Sequence, residues 1–136
     1  MPKLTYSSPI FTYQIDFAGH VNNGVYFQWL EEARQLLLAQ VGLPIPQLLE
    51  GGIIPIIASF TIEYKYPLYL HNTMHLEMWC GEVGYASVLI VGEIFNEERT
   101  LVAKATQKAL FLDAQSRKPK RFTPEQRAQF LLYKGD

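Results

Sequence analysis

The chain is poor in cysteine: Cys80 is the only one in 136 residues. A single thiol cannot close an intramolecular disulfide, so a reducing, cytoplasmic setting is expected. Cys80 lies in an alternating strand pattern, where a small buried hydrophobe is the ordinary role. Histidine is scarce too. His20, His71 and His75 lack zinc-ligand spacing and have no thiolate cluster beside them, so no metal is expected. His71 and His75 could share a helix face, but Pro67, Asn72-Thr73 and the alternation that follows argue for a turn entering a strand. Excess charge of one sign is missing: 12 Lys+Arg stand against 13 Asp+Glu. That balance leaves no global field to attract nucleic acid or an anionic membrane, and neither is expected as a partner. No apolar run reaches the ~20 residues of a membrane-spanning helix. The stretch Met1 to Tyr6 has no long apolar core of a signal peptide. There is no internal repeat and no low-complexity linker. Ser-x-x-Lys, G-x-S-x-G and Cys–His arrangements are all missing, which removes the common nucleophile motifs. No cofactor is expected.

What is present suits a single domain over 1–136. A chain of this length buries roughly 68% of the surface it exposes when extended, enough for its own core. Hydrophobic residues make up 49% of it, which argues against disorder. Near-neutral charge with many aromatics gives weak defence against self-association, so a homodimer or homotetramer is expected.

Along the chain, Leu4 to Ile15 reads as a strand interrupted near Pro9. Tyr26 to Val41 is the one long helix. Tyr26, Leu30, Ala33, Leu37 and Val41 fall on one face, and Phe27, Trp29, Leu36 and Leu38 widen the stripe almost all round, so the helix should be buried on most sides. Gly42 and Pro44 stop it. Asn22 or Asn23 suits its N-cap. Pro46 to Leu49 allows a short helical turn. Strands then follow over Ile53 to Tyr66 (alternating in its second half), Met74 to Val83 and Thr100 to Leu112 by alternation, and Ala86 to Phe95 as a β-branched run broken by Gly92. Thr123-Pro124-Glu125 opens a short helix over about 123–133. Short connections between the later strands predict a meander. The class is α+β: a curved antiparallel sheet on one helix, with exposed strand edges that pairing of two protomers would cover.

One stretch departs from ordinary core, strand and turn. Asp16 to Tyr26 reads D-F-A-G-H-V-N-N-G-V-Y, polar and glycine-rich between two core-forming elements. The Asp16 carboxylate could act as nucleophile or as general base on water. Unpartnered N–H groups at the helix start could hold an oxyanion, which suits thioester hydrolysis. Equally, Asp16, Asn22 and Asn23 could simply form an Asx turn and cap the helix. His20 could orient Asp16 or be satisfied by the turn backbone. Glu63 could be a second carboxylate or a cross-strand partner of a lysine. Lys65, Lys104, Lys108, Arg117, Lys118, Lys120 and Arg121 could meet substrate phosphates or form solvated faces. Tyr26, Phe27, Leu30 and Phe60 could line an acyl pocket or be plain core.

The pattern D-x-x-G-H-x-N-N-x-x-Y at Asp16, Gly19, His20, Asn22, Asn23 and Tyr26, followed by Glu31-Glu32-Ala33-Arg34, resembles the hotdog-fold acyl-CoA thioesterases of the 4-hydroxybenzoyl-CoA thioesterase-like family. The run from Phe60 to Pro67 resembles that family's second strand. The likeness covers roughly Tyr6 to Ala114. It implies a five-stranded antiparallel sheet wrapped around one long buried helix, and a dimer or larger assembly. It implies Asp16 as the catalytic carboxylate and backbone N–H groups at about Gly24, Val25 and Tyr26 around the thioester carbonyl. It implies a site at the dimer interface, with an acyl-CoA or acyl-ACP (acyl carrier protein) substrate. The H-V-N-N form also resembles plant acyl-carrier-protein thioesterases. Those carry an asparagine two residues after the aspartate, where this chain has Ala18, which leaves Asp16, His20 and Asn23 as the expected catalytic team and Phe60 as a substrate contact. A non-catalytic acyl-thioester-binding module is the alternative from another class. A dehydratase of the same fold would want a helix histidine, and Val25 to Val41 contains none.

Overall fold

The computed structural model describes residues 2–135. Strand β1 (Leu4–Pro9) is followed by a 3-10 turn (Thr12–Gln14), helix α1 (Asn23–Gln40) and helix α2 (Ile45–Glu50). Four long strands follow: β2 (Ile53–Tyr64), β3 (Thr73–Val83), β4 (Ser87–Phe95) and β5 (Leu101–Asp113). A two-residue β6 (Pro119–Lys120) and helix α3 (Pro124–Leu131) complete the chain. The result is the α+β hotdog arrangement, an antiparallel sheet packed against one long helix.

The sheet order is β1-β3-β4-β5-β2, with β6 on β5. The expected meander holds for β3, β4 and β5 only. β2 lies on the far side of β5, in register from Ile53↔Asp113 to Tyr64↔Ala103. Alternation identifies a strand but not its neighbour, so this order was hidden in the sequence. The segment 65–72 carries the chain from β2 back to β3. It is pinned where the Lys65 and Tyr66 amides donate to the Val102 carbonyl and where the Val21 amide donates to the Leu68 carbonyl. Leu68 is fully buried there. The sheet also has a sixth strand beyond the five expected: β6 continues the row of β4 past Ser87, pairing Lys120 with Phe111. The first strand ends at Pro9 rather than Ile15. The chain then turns so that the Gln14 side chain accepts the Phe11 amide at 2.8 Å.

Helix α1 begins at Asn23, three residues before the expected start, because Asn22 caps it: its Oδ1 accepts the Gly24 amide at 2.8 Å. Val25, Tyr26, Trp29, Leu30, Ala33, Leu37 and Leu38 face the core. The expected burial on most sides does not occur in the single chain, where Phe27 and Leu36 are each 45% exposed. One helix lying across one sheet hides only the stripe that faces the sheet. Gly92 does not break β4. It pairs with Met78 and Ala105, and the Leu30 side chain of α1 packs onto it, so that a Cβ on Gly92 would lie 2.8 Å from Leu30 Cδ2. At the opposite edge of β3, the Cys80 amide donates to the Tyr133 carbonyl and the Gly135 amide to that of Cys80, docking the C-terminal segment.

Cys80 is fully buried, and desolvation pushes its thiol up from 9.0 to about 12. Burial, then the neighbouring Tyr64, pushes the Tyr26 hydroxyl up from 10.0 to about 12, opposed by a backbone hydrogen bond from Leu68. Both groups are more acidic in the unfolded chain than in the folded one. Their contribution is therefore complete below the unfolded values and is lost as pH rises from about 9 toward 12. We expect the urea midpoint to fall between pH 8 and pH 10.5, and to fall less steeply in Cys80→Ala. A midpoint flat across that interval would contradict the buried placement of both groups.

Candidate active site

The loop carrying Asp16 is closed at its base by a bridge between Ile15 and Val21. Inside it the Asp16 amide donates to the His20 carbonyl (3.0 Å) and the Gly19 amide to the Asp16 carbonyl (3.0 Å). Gly19 has φ +86, a backbone conformation that L side chains rarely adopt, which explains the glycine. Asp16 Oδ1 accepts the Ala18 amide at 2.9 Å, an Asx turn. Ala18, the residue that departs from the plant enzymes, thus acts through its backbone. Asp16 is half-buried, and among the described residues its second carboxylate oxygen has no protein partner. Asn22 follows Val21 directly, so the carboxylate loop abuts the start of α1.

Chain geometry brings Asp16, His20 and Asn23 to one end of α1 without linking their side chains. His20 is half-buried; its Nδ1 lies 3.4 Å from the Val21 carbonyl, and its ring meets that of Tyr69 edge-on at 6.4 Å. The Asn23 carbonyl accepts the Tyr64 hydroxyl at 3.1 Å. Of the helix-start donors, the Gly24 amide is held by Asn22 Oδ1 and the Val25 amide by the Asn22 carbonyl at 3.0 Å. Among the described residues, the Asn23 amide at this end has no acceptor.

Tyr26 is core, its ring edge-on to Trp29 (5.3 Å) and Tyr64 (5.1 Å). Leu30 and Val25 are core as well. Phe60 is half-buried and packs on the exposed Phe27 at 4.6 Å. Glu63 is bound by Lys65, just past the end of β2, at 3.5 Å, while Lys104, opposite it in register, reaches Glu93 at 3.8 Å. Arg117, Lys118, Lys120 and Arg121 are exposed. His75 lies on β3 with Nδ1 2.8 Å from Ser7 Oγ, and no group of three potential metal ligands occurs among the described residues. No helix among those residues is long and apolar enough to cross a membrane.

Pattern reading missed two features. Tyr64 and Tyr69 join the site from β2 and the segment after it; nothing but their proximity in the fold marks them. The second is a groove of about 580 Å³ between the later half of α1 and strands β2, β4 and β5. Its floor is apolar, with Ile90, Ala109 and Phe111 among its residues, and Glu31 and Arg34 of α1 stand along it. At 1.5 Å per residue, Glu31 lies about 12 Å along α1 from Asn23. The volume is that of a small-molecule site.

Solved structures share this fold. The DHNA-CoA thioesterase from Staphylococcus aureus superposes with a TM-score of 0.88 at 19% identity, covering 97% of this chain and 91% of that one. The 1,4-dihydroxy-2-naphthoyl-CoA thioesterase Slr0204 from Synechocystis gives 0.85 at 17% identity, covering 96% of each. The Bacillus subtilis (strain 168) protein named "Putative acyl-CoA thioesterase YneP" is 26% identical over 109 residues, 80% of this chain and 79% of that one. Residues 11–130, which hold the Asp16 loop, all of α1 and the long strands, match the thioesterase-like superfamily, and the chain belongs to it.

Proposed function

We propose that the protein hydrolyses an acyl- or aroyl-CoA thioester to the free acid and CoA, with Asp16 as general base. The observation that carries this is a half-buried carboxylate with one oxygen anchored to Ala18 N–H and the other free, on a loop abutting the start of an 18-residue helix. The free oxygen takes a proton from water, whose oxygen attacks the thioester carbonyl carbon. The Asn23 amide, with the positive end of the helix dipole behind it, stabilises the oxyanion. The Gly24 amide joins it when Asn22 Oδ1 gives way to the carbonyl, and Val25 and Tyr26 continue the same helical turn. Collapse breaks the C–S bond, and the CoA thiolate leaves and takes up a proton. His20 and the Asn23 side chain position the water; Phe60, beside Phe27, contacts the substrate. The acyl-CoA thioesterase named among the relatives supports the substrate class. The unpaired outer edge of β2 and the exposed Phe27 and Leu36 support a homodimer, the assembly in which a second copy covers them.

The test is release of free thiol from a panel of short, long and aromatic acyl-CoAs and acyl-carrier-protein substrates, with light scattering on the same sample. Turnover of at least one CoA thioester by a dimer or larger species is expected. Tight binding across the panel with no thiol release would favour the non-catalytic module.

A further inference from the structure

Gln107 is the only buried polar side chain among the described residues with an unpartnered atom. It lies on β5 at 0% exposure, and its Nε2 has no hydrogen-bond partner. Its Oε1 accepts a hydrogen bond from Arg34 Nη1. Gln107 thus fixes the arginine from behind. Arg34 lines the groove, with its side chain only 20% exposed. Its charge is poorly compensated: Glu31 is 3.7 Å away with a side chain 75% exposed, and Glu32 is engaged by the Tyr6 hydroxyl at 3.0 Å. A guanidinium has five donors, and among the described residues the hydrogen bond to Gln107 uses one of Arg34's. Ile90 and Ala109, also lining the groove, offer no side-chain acceptor. A ligand in this groove would supply the missing one. Glu31 and Glu32, which also line the groove, disfavour a carboxylate there and leave a neutral oxygen as the better match.

Resting on the thioesterase reading above, we propose that the acyl group lies in the α1–β2 groove and that Arg34 binds an oxygen acceptor toward its distal end. The protein would then select hydroxy- or oxo-substituted acyl groups over plain hydrocarbon ones. Arg34 lies eleven residues beyond Asn23, about 16 Å along α1, so the oxygen belongs far from the thioester. An apolar pocket alone rejects an added hydroxyl weakly, whereas a pocket that hydrogen-bonds the oxygen discriminates strongly.

The experiment compares kcat/KM for dodecanoyl-CoA, 12-hydroxydodecanoyl-CoA and 11-oxododecanoyl-CoA, which separates hydroxyl from carbonyl. Equilibrium binding of the non-hydrolysable thioether analogues is measured in parallel. Wild type should favour at least one oxygenated chain by ~10-fold or more, expressed in KM and in thioether binding rather than in kcat. The ratio should collapse to about 1 in Arg34→Met and be partly restored in Arg34→Lys. A wild-type ratio near 1, or one that persists in Arg34→Met, would overturn the proposal; so would a crystal structure with a second copy's side chain bound to Arg34. Should Arg34→Met not fold, the wild-type ratio and Arg34→Lys decide. Absence of thiol release would count against the thioesterase reading alone, because thioether binding still reads the selectivity.

Discussion

Asp16→Asn lowers thiol release from acyl-CoA by at least ~100-fold, the range for removal of a general base. The amide is nearly isosteric with the carboxylate, and its Oδ1 can still accept the Ala18 amide that shapes the loop. Its nitrogen cannot take a proton from water. The melting temperature should therefore stay within about 2 °C of wild type, because a half-exposed loop loses little stability from an isosteric change. Substrate affinity should hold while kcat falls, since the carboxylate acts on the water and not on the acyl chain. Turnover within a few-fold of wild type would remove Asp16 from the mechanism. It would leave the Asx turn as the residue's whole role.

Gly92→Val destabilises the fold, by about 1–3 kcal/mol or somewhat more. The strand conformation tolerates any residue, so the cost is steric. A Cβ at position 92 would sit 2.8 Å from Leu30 Cδ2 and 3.6 Å from Met78 Cε, and valine adds two methyls beyond it. Leu30 is fully buried, so the helix must lift from the sheet or Leu30 must leave its rotamer. At roughly 4 °C per kcal/mol for a chain of this size, thermal or urea unfolding resolves the effect easily. Gly51→Ala is the control: its nearest contact is an ordinary 3.5 Å to the Leu48 carbonyl, and a change within about 0.5 kcal/mol is expected. Leu30→Ala alone costs about 2–5 kcal/mol through the cavity it leaves. Combined with Gly92→Val it should cost less than the sum, because the valine fills part of that cavity. Additive losses would mean that the two positions do not meet.

Most of the elements were legible because their periodicity is local. Alternation placed β3 and β5, and a β-branched run placed β4, to within a residue of their bounds. Leu30, Ala33 and Leu37 fell on one helical face, and that face is buried. A cap at Asn22 or Asn23 was readable because short polar side chains satisfy free helix-start amides, and the structure selects Asn22. Gly92 looked like a break because glycine weakens an isolated strand; its contact with Leu30, 62 positions earlier, is what makes it the right residue. The Asp16 loop stood out as a cluster of polar types, yet the pattern did not reveal that Gly24 and Val25 amides are already occupied by Asn22.

The amino-acid sequence by itself determined most of the element types, a cap at Asn22 or Asn23, the Asp16 loop and, through its motif, the thioesterase-like superfamily. These depend on residues within a few positions of one another, where backbone preference and side-chain spacing act directly. Only the tertiary structure decided that β2 sits beyond β5, that Phe27 and Leu36 remain exposed, and that Arg34 meets a half-satisfied Gln107 beside an apolar groove. Arg34 and Gln107 are 73 positions apart, on elements whose own periodicities say nothing of each other. They meet only through the tertiary fold, in which strand order is set by long-range pairing that local pattern does not encode.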